Sequence, residues 1–374
     1  MTHRMFRRLA LTASALVLTG SIAGVARADF RFNQINLVSD TPGLAAHTDP
    51  NLINPWGISS SPASPFWVSN QGSGTSTLYN SAGVPQSLVV TVPQVGASPP
   101  HGPTGQVFNN TTDFALSAGG KALFLFASLD GSISGWNASK GTTAEIKVTP
   151  TSPTTYTGLA IGNNGVGNFL YAADDRNGKI DVFNGTFGAA SLAGKFTDPN
   201  LPTGFNPHNI QNLGGTLFVA YENSTTGGGV VDAFDLSGNF LRRISANGAN
   251  GPLQTPWGLA IAPASFGSLG GALLVGNEDL GTINGFNPTT GAFLGTVLGL
   301  DGNPLVNVGL WGLKFGNGGN GGSPDTLYFA AGLTGEVHGL LGAIVPVPEP
   351  SSIALILAGA GVVLAGTRVR RRGR

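Results

Sequence analysis

The fold is most apparent from the segment Leu170-Tyr171-Ala172-Ala173-Asp174-Asp175-Arg176-Asn177-Gly178-Lys179-Ile180-Asp181-Val182-Phe183-Asn184. It contains two short apolar runs on either side of a polar segment. Asn177-Gly178 within that segment is a pair typical of a tight hairpin turn. Related stretches recur along the chain, which indicates that residues 170–184 belong to one unit of a repeat.

Each unit begins with Pro or an aromatic residue and usually has Gly at its third position. The six starts are Pro55-Trp56-Gly57-Ile58, Pro103-Thr104-Gly105-Gln106, Tyr156-Thr157-Gly158-Leu159, Pro207-His208-Asn209-Ile210, Pro256-Trp257-Gly258-Leu259 and Leu310-Trp311-Gly312-Leu313. The second and fourth starts depart most from the pattern. The units follow one another at about 50 residues, and such a period predicts a propeller or an array.

Within a unit, a second strand and a third strand follow the start, and the third ends in an aromatic residue plus Asn or Asp. These endings are Tyr79-Asn80, Trp136-Asn137, Phe183-Asn184, Phe234-Asp235 and Phe286-Asn287. A fourth strand comes next, so four strands per unit predict an all-β, six-bladed β-propeller. The sixth unit lacks a clear fourth strand, whereas residues 30–37 have strand character. We therefore expect the N-terminal strand to form the outer strand of the last blade and to close the ring.

The units resemble NHL- or YncE-type propeller blades in the Pro-x-Gly-Ile start, the aromatic second strand and the Phe-Asn or Phe-Asp ending. Residues 170–184 are the closest copy, and the resemblance spans residues 55–340. The whole chain is similar to an uncharacterised family of exported bacterial proteins. Neither resemblance implies an activity, since propellers carry many unrelated functions.

The N-terminus has the three parts of a secretory signal peptide. A basic start precedes an apolar stretch from Leu9 to Val25, and Ala26-Arg27-Ala28 is a small-x-small cleavage pattern. A membrane-anchor helix is the alternative, but the apolar stretch is short and interrupted by polar residues. We expect residues 1–28 to direct export through the Sec machinery, and residues 29–345 to form the propeller.

The C-terminal segment, residues 346–374, joins a Pro-Glu-Pro motif to an apolar run from Ile353 to Gly366 and an arginine-rich end. The residues that characterise the motif and the arginine-rich end are Pro348, Glu349, Pro350, Arg368, Arg370, Arg371 and Arg372. A membrane-spanning helix normally needs about 20 apolar residues. This run therefore predicts a short hydrophobic helix that anchors the chain transiently. The arginines should stay on the cytoplasmic side of the membrane. The alternative is a buried helix with a basic tail.

These three parts resemble the PEP-CTERM sorting signal of Gram-negative bacteria. In that family a membrane peptidase-transferase, exosortase, reads the signal and is thought to remove it, and the hosts commonly make exopolysaccharide. The resemblance implies exosortase as a partner and a transient place in the inner membrane. The destination would be the periplasm, the outer surface or the extracellular matrix.

Composition narrows the possible partners. Setting aside Glu349 and the nine arginines of the two terminal segments leaves a body with ten basic and eighteen acidic residues, a net charge of about −8. Nucleic acid and anionic membrane surfaces need a basic face, so we expect neither as a partner of the body. The chain has no cysteine, which excludes thiol chemistry and Cys-ligated metal.

The loop before strand one and the loop between strands two and three should open on the same face, because strand direction alternates within a blade. The polar side chains that this rule gathers are His101, Asp130, Asp174, Asp175, His208, Glu222, Asn223, Asn277, Glu278 and Asp279. Carboxylate and amide oxygens suit Ca²⁺, and tryptophans at the strand starts suit sugar rings. The alternative is that Asp and Asn close turns and that the tryptophans pack between blades.

Three functions remain open at this level. The leading hypothesis is a non-catalytic binding or scaffold protein for exopolysaccharide or surface proteins, since no H-E-x-x-H, P-loop or G-x-S-x-G motif is present. The second is a Ca²⁺-dependent, lactonase-like hydrolase at the acidic face. The third is a purely structural matrix protein.

Overall fold

The computed structural model describes residues 30–96, 102–248 and 250–347, which form a ring of six antiparallel sheets. Each sheet is one blade, and the first strand of each blade lies nearest the axis. The predicted all-β six-bladed propeller is confirmed. The signal peptide with Ala26 and Ala28, and the sorting residues beyond Val347, lie outside the described residues.

The strands follow the predicted units closely. Blade 1 is β3 (Pro55–Ser59), β4 (Phe66–Asn70), β5 (Thr75–Tyr79) and β6 (Pro85–Thr91); blade 2 is β7 (Pro103–Phe108), β8 (Phe124–Ser128), β9 (Ile133–Trp136) and β10 (Glu145–Val148); blade 3 is β11 (Tyr156–Asn163), β12 (Asn168–Asp174), β13 (Lys179–Asn184) and β14 (Ala189–Ala190). Blade 4 is β15 (Asn206–Leu213), β16 (Thr216–Glu222), β17 (Gly229–Phe234) and β18 (Phe240–Asn247); blade 5 is β19 (Pro256–Ile261), β20 (Leu273–Asn277), β21 (Ile283–Phe286) and β22 (Phe293–Thr296).

Blade 6 is assembled from both ends of the propeller. Its strands are β23 (Leu310–Phe315), β24 (Leu327–Gly332), β25 (His338–Val347) and β1 (Arg31–Ser39), with the two-residue β2 (His47–Thr48) at the edge. Helical segments within the described ranges are short. They comprise the 3₁₀ turns Ala138–Lys140, Asp175–Asn177 and Gly267–Leu269, and the single turn Leu333–Glu336.

Ring closure depends on β1, as the sequence predicts. β1 pairs antiparallel with β25 from Arg31 opposite Val347 to Ser39 opposite Leu340. Side chains reinforce the end of this pairing, because the Ser39 hydroxyl donates to the Gly339 carbonyl at 2.7 Å. The Asp40 carboxylate also accepts from the Gly339 N–H at 2.8 Å. The N-terminal strand therefore covers the edge that β25 would otherwise expose.

The apolar core is divided among the blade interfaces. One cluster of buried side chains lies between each pair of neighbouring blades, and a smaller seventh cluster lies on the axis. Between blades 1 and 2, Trp67 stacks on Phe124 with ring centroids 4.1 Å apart. Burial of apolar area at these six interfaces holds the blades in place without disulfides.

The glycine at the third position of the repeat sets the spacing of the inner strands. A Cβ atom at Gly105 would lie 2.3 Å from the Leu159 backbone nitrogen in the next blade. A Cβ atom at Gly312 would lie 2.4 Å from the Trp56 carbonyl oxygen, across the closure of the ring. Blade 4 has Asn209 instead, and its side-chain amide donates to the Trp257 carbonyl at 2.7 Å. The glycine at the third position of the repeat is thus explained by close contact between neighbouring inner strands around the axis.

Across the described ranges, no helix combines the length and the apolar character needed to cross a bilayer. The expected hydrophobic helix at residues 353–366 lies beyond those ranges. The last strand continues to Val347, two residues into the segment that we assign from sequence to sorting.

Candidate functional site

The inner strands all begin at one face of the ring, where the loops between the second and third strands also open. Five acidic side chains from four successive blades meet at this opening, which we call the acidic mouth: Asp175, Glu222, Glu278, Asp279 and Glu336. The alternation of strand direction explains the arrangement, because each acid follows the second strand of its own blade. The predicted convergence of acidic loops holds for these positions.

Below the acidic mouth, the axis is filled by an aromatic plug of Trp56, Trp257, Trp311 and His208. The Trp56 and Trp311 rings stack with centroids 3.5 Å apart and an interplanar angle of 15°. Trp257 meets both edge-on at 5.9 Å. All three tryptophans are buried. They therefore pack against one another, and their faces are covered rather than presented to a sugar ring.

His208 joins the plug to the acids above it. Its ring lies edge-on to Trp311 with centroids 5.6 Å apart, and the residue is buried. Burial lowers the pKa of His208 to about 4, although the Asp175 charge and a hydrogen bond with the Pro256 backbone oppose that effect. Its Nδ1 atom has no hydrogen-bond partner in the described part of the chain. His208 is therefore neutral near pH 7, with one ring nitrogen unused.

The carboxyl groups of the acidic mouth are close enough to perturb one another. Burial, followed by the charges of Glu336, Asp279 and Glu222, raises the pKa of Glu278 to about 9. Burial and then Asp279 raise the pKa of Glu222. Burial also raises the pKa of Asp175, against the opposing effect of His208. A side-chain hydrogen bond with Glu336 adds to this effect, so Glu278 is protonated at neutral pH.

Two residues with left-handed backbone conformations hold the acids in place. Asn54 (φ 45°) and Thr255 (φ 49°) each precede the proline that starts a repeat. Asn54 donates to the Glu336 carboxylate at 3.0 Å and accepts from the Trp311 indole N–H at 3.1 Å. Thr255 donates its hydroxyl to Asp279 at 2.5 Å. Such backbone conformations are costly outside glycine and cluster at functional sites.

Four of the predicted site residues form hydrogen bonds that hold the loops instead. Asp130 accepts from the backbone N–H groups of Val95 and Ser132, and Asp174 accepts from the Asn177 side chain at 2.7 Å. Asn223 accepts from the N–H groups of two following residues. Asn277 accepts from the Gln254 N–H at 2.9 Å. The turn-closing interpretation accounts for Asp174 and Asn223, whereas Asn277 joins its loop to the loop that precedes β19 and Asp130 bonds both within its own loop and to Val95.

The acidic mouth therefore contains Asp175, Glu222, Glu278 and Asp279 from the predicted set, and His208 lies in the plug below it, while His101 lies outside the described residues. Sequence reasoning missed Glu336, Asn54 and Thr255. Glu336 had a usable signal, because it occupies in unit six the loop position that holds the acids of units three to five. The roles of Asn54 and Thr255 depend on backbone angles, which no motif indicates.

Within residues 30–96, 102–248 and 250–347, no three His, Asp or Glu side chains are placed to hold one ion. The Asp175 Oδ1 and His208 Nδ1 atoms are buried without a hydrogen-bond partner among the described residues, which is uncommon for buried polar atoms.

The perturbed Glu278 predicts a specific pH dependence. Its carboxyl holds a proton more tightly in the folded state (pKa about 9) than in the unfolded state (about 4.5), so folding stability should fall as pH rises between these values. Glu278→Gln stays neutral at every pH. Its free energy of unfolding should therefore fall by about 1–3 kcal/mol less than that of the wild type across this range. Urea unfolding of the full chain across this pH window measures the effect.

The control for this experiment is Asp301→Asn. Asp301 is fully exposed, and its hydrogen bonds with Asn303 lower its pKa below the window. This variant should keep the wild-type slope. Equal slopes for wild type and Glu278→Gln would show that Glu278 is ionised in the folded protein.

Fold and site together define the class: a six-bladed β-propeller with a candidate binding site at one end of its axis. The C-terminus matches the PEP-CTERM protein-sorting motif over residues 346–372. The chain is therefore an exported protein sorted through exosortase to a cell-surface or extracellular destination.

The chain belongs to the same family as two uncharacterized proteins of Acanthamoeba polyphaga mimivirus, R648 and L690. R648 is 32% identical over 341 residues, which cover 82% of this chain and 78% of the relative. L690 is 32% identical over 342 residues, which cover 83% and 84%. A structural genomics protein of unknown function from Bacteroides thetaiotaomicron VPI-5482 has a similar fold, with a TM-score of 0.54 at 12% identity over 85% of this chain and 77% of that one. The NHL- or YncE-like blade type stays a prediction.

Proposed function

We propose that this protein is a non-catalytic binding module that holds hydroxyl-rich polysaccharide at its acidic mouth, outside the cytoplasm. The observation that carries the proposal is the mixture of hydrogen-bonding roles around one opening. Glu278 is protonated, whereas the exposed Asp279 carboxyl is an acceptor. A sugar hydroxyl both donates and accepts, so it can use both kinds of group.

The scaffold supports binding rather than turnover. The mouth sits on a plug of interlocked aromatic rings, so its groups are held by a rigid base and lose little freedom when a ligand binds. The cell-surface or extracellular destination that the sorting motif indicates supports a polysaccharide as the ligand. We further propose Sec-dependent export from a Gram-negative cell, a transient inner-membrane anchor, and surface proteins as the other class of partner.

Binding of the full chain to immobilised polysaccharide tests the proposal. We expect retention by neutral dextran and weaker retention by alginate, whose carboxylates the acidic mouth repels. Glu278→Ala should weaken dextran binding about tenfold, because a buried hydrogen-bonding group contributes roughly that much. Glu278→Gln, which keeps a donor, should lose less.

The exposed acid Asp301 provides the matched control, since Asp301→Asn removes a charge away from the mouth and should bind like wild type. Unchanged binding by Glu278→Ala would refute the site. Failure of both polysaccharides to bind would refute the function and favour a purely structural matrix role.

The second candidate is a Ca²⁺-dependent, lactonase-like hydrolase. It is favoured by the crowding of Glu222, Glu278 and Asp279, which a divalent cation would relieve. Calorimetric titration of the full chain with CaCl₂ separates the two functions. We expect no heat of binding and no change in melting temperature with a chelator. Saturable binding that Glu222→Gln abolishes would favour the hydrolase.

A further inference from the structure

The face opposite the acidic mouth opens into a second cavity on the axis, of about 750 Å³. Its walls include the carboxyl-terminal halves of inner strands, among them Ile58 and Ser59 of β3, Gln211 of β15 and Lys314 of β23. An adjoining cavity of about 490 Å³ shares Ile58, Gln211 and Lys314 and continues along β19. We call the two together the funnel. The aromatic plug lies between the funnel and the acidic mouth, because Trp311 precedes Lys314 on the same strand.

The charge of the funnel is opposite to that of the rest of the propeller. Neither cavity is lined by an Asp or Glu side chain, and Lys314 is the one charged residue in either lining. Lys314 is partly buried, and desolvation lowers the pKa of its ammonium group. Its side chain forms no ion pair or hydrogen bond with any other described residue. A cation kept in a recess without a counter-charge favours the entry of an anion.

Further unused polar groups line the same space. The Ser59 hydroxyl is buried without a hydrogen-bond partner in the described part of the chain. The Gln211 side-chain amide is likewise unbonded within the described ranges. Two other polar side chains of the wall are occupied: Gln106 donates to the Gly57 carbonyl at 2.8 Å, and Asn212 donates to the Ile161 carbonyl at 2.9 Å. Ser59, Gln211 and Lys314 come from blades 1, 4 and 6 and belong to the lining of one cavity.

We propose that the funnel binds a small hydroxylated monoanion, a sugar acid, whose carboxylate pairs with Lys314 and whose hydroxyls bond to Gln211 and Ser59. A charge-assisted bond to Lys314 supplies the counter-charge that the protein does not provide. The cavity volume falls in the range of small-molecule sites and accommodates a monosaccharide or a disaccharide.

The lining argues against other classes of ligand. A polyanion such as a nucleic acid or a polyphosphate requires several cations, and the funnel has one. A neutral sugar would use Gln211 and Ser59 but would leave Lys314 uncompensated. A simple carboxylate would satisfy Lys314 but leave the hydroxyl and the amide unused. A sugar acid uses all three groups.

Titration of the full chain with glucuronate tests the proposal, with glucose and acetate as the comparison ligands. We expect glucuronate to bind at least about tenfold more tightly than either, because glucose lacks the carboxylate and acetate lacks the hydroxyl groups. Lys314→Met, of similar length and without charge, should lose that preference. Gln211→Leu should weaken glucuronate binding several-fold while keeping the preference over glucose.

Asp301→Asn is the control, since it removes an exposed charge from outside the funnel and should leave glucuronate affinity unchanged. Dextran binding by Lys314→Met should equal that of wild type, which separates the funnel from the proposed polysaccharide site. Affinity should fall as pH rises through the lowered pKa of Lys314, which a structural role for that residue would not produce. The proposal is overturned if wild type binds glucuronate no better than glucose, or if Lys314→Met binds it equally well.

Discussion

Replacing Phe32 with Ala should lower the free energy of unfolding by about 3–5 kcal/mol, the usual cost of removing a buried Phe ring. Phe32 lies on β1, is 2% exposed, and packs against Phe266 of blade 5 with ring centroids 4.7 Å apart. Its backbone N–H also donates to the Leu298 carbonyl at 2.9 Å. The side chain therefore attaches the closing strand to the neighbouring blade, and its loss weakens closure of the ring. Thermal and urea unfolding of the full chain measure the change.

Ile35 supplies the matched control, because it lies on the same strand and is 43% exposed. Ile35→Ala should change stability by no more than about 0.5 kcal/mol. Deletion of residues 31–39 should have a larger effect than either substitution, since it exposes the whole edge of β25. If Phe32→Ala and Ile35→Ala melted at the wild-type temperature, β1 would not be closing the ring.

Replacing Gly105 with Ala should destabilise the protein by roughly 3 kcal/mol, the upper part of the range for overpacked sites. The added methyl group would lie 2.3 Å from the Leu159 nitrogen and 2.7 Å from the Gly158 carbonyl carbon. Both are backbone atoms of the next inner strand, so no side-chain rotation relieves the clash. Blades 2 and 3 would have to separate at the axis. Urea denaturation of the full chain gives the loss directly.

Gly248→Ala is the control, because a Cβ atom there meets no atom within 4 Å and the backbone lies outside the left-handed region. That variant should be neutral or slightly stabilising, since alanine restricts the unfolded chain. A small effect at Gly105, similar to that at Gly248, would mean that the inner strands are not in tight contact and that the glycine of the repeat has another cause.

The acidic mouth was only half predictable. Asp175, Glu222, Glu278 and Asp279 follow second strands, so the alternation of strand direction was enough to bring them to one face. The same rule also gathered Asp130 and Asn223, whose side chains bond to nearby backbone groups. A carboxyl group that caps its own loop and one that faces the axis have the same sequence signature. Loop conformation decides between them.

The funnel shows the opposite case. Lys314, Gln211 and Ser59 sit in three different units and belong to no motif, so their convergence comes only from closure of the ring. That all three are unpaired is equally invisible in the sequence, because it depends on which neighbouring amides are already used.

The six-fold repeat, the closing role of the N-terminal strand and the sorting tail could all be predicted from the amino-acid order, since each is a periodic or local pattern along the chain. The packing of the tryptophans on the axis, the retained proton of Glu278 and the lack of a counter-charge at Lys314 became apparent only in the folded ring. Burial and electrostatic environment depend on contacts between blades, where residues far apart in the chain meet.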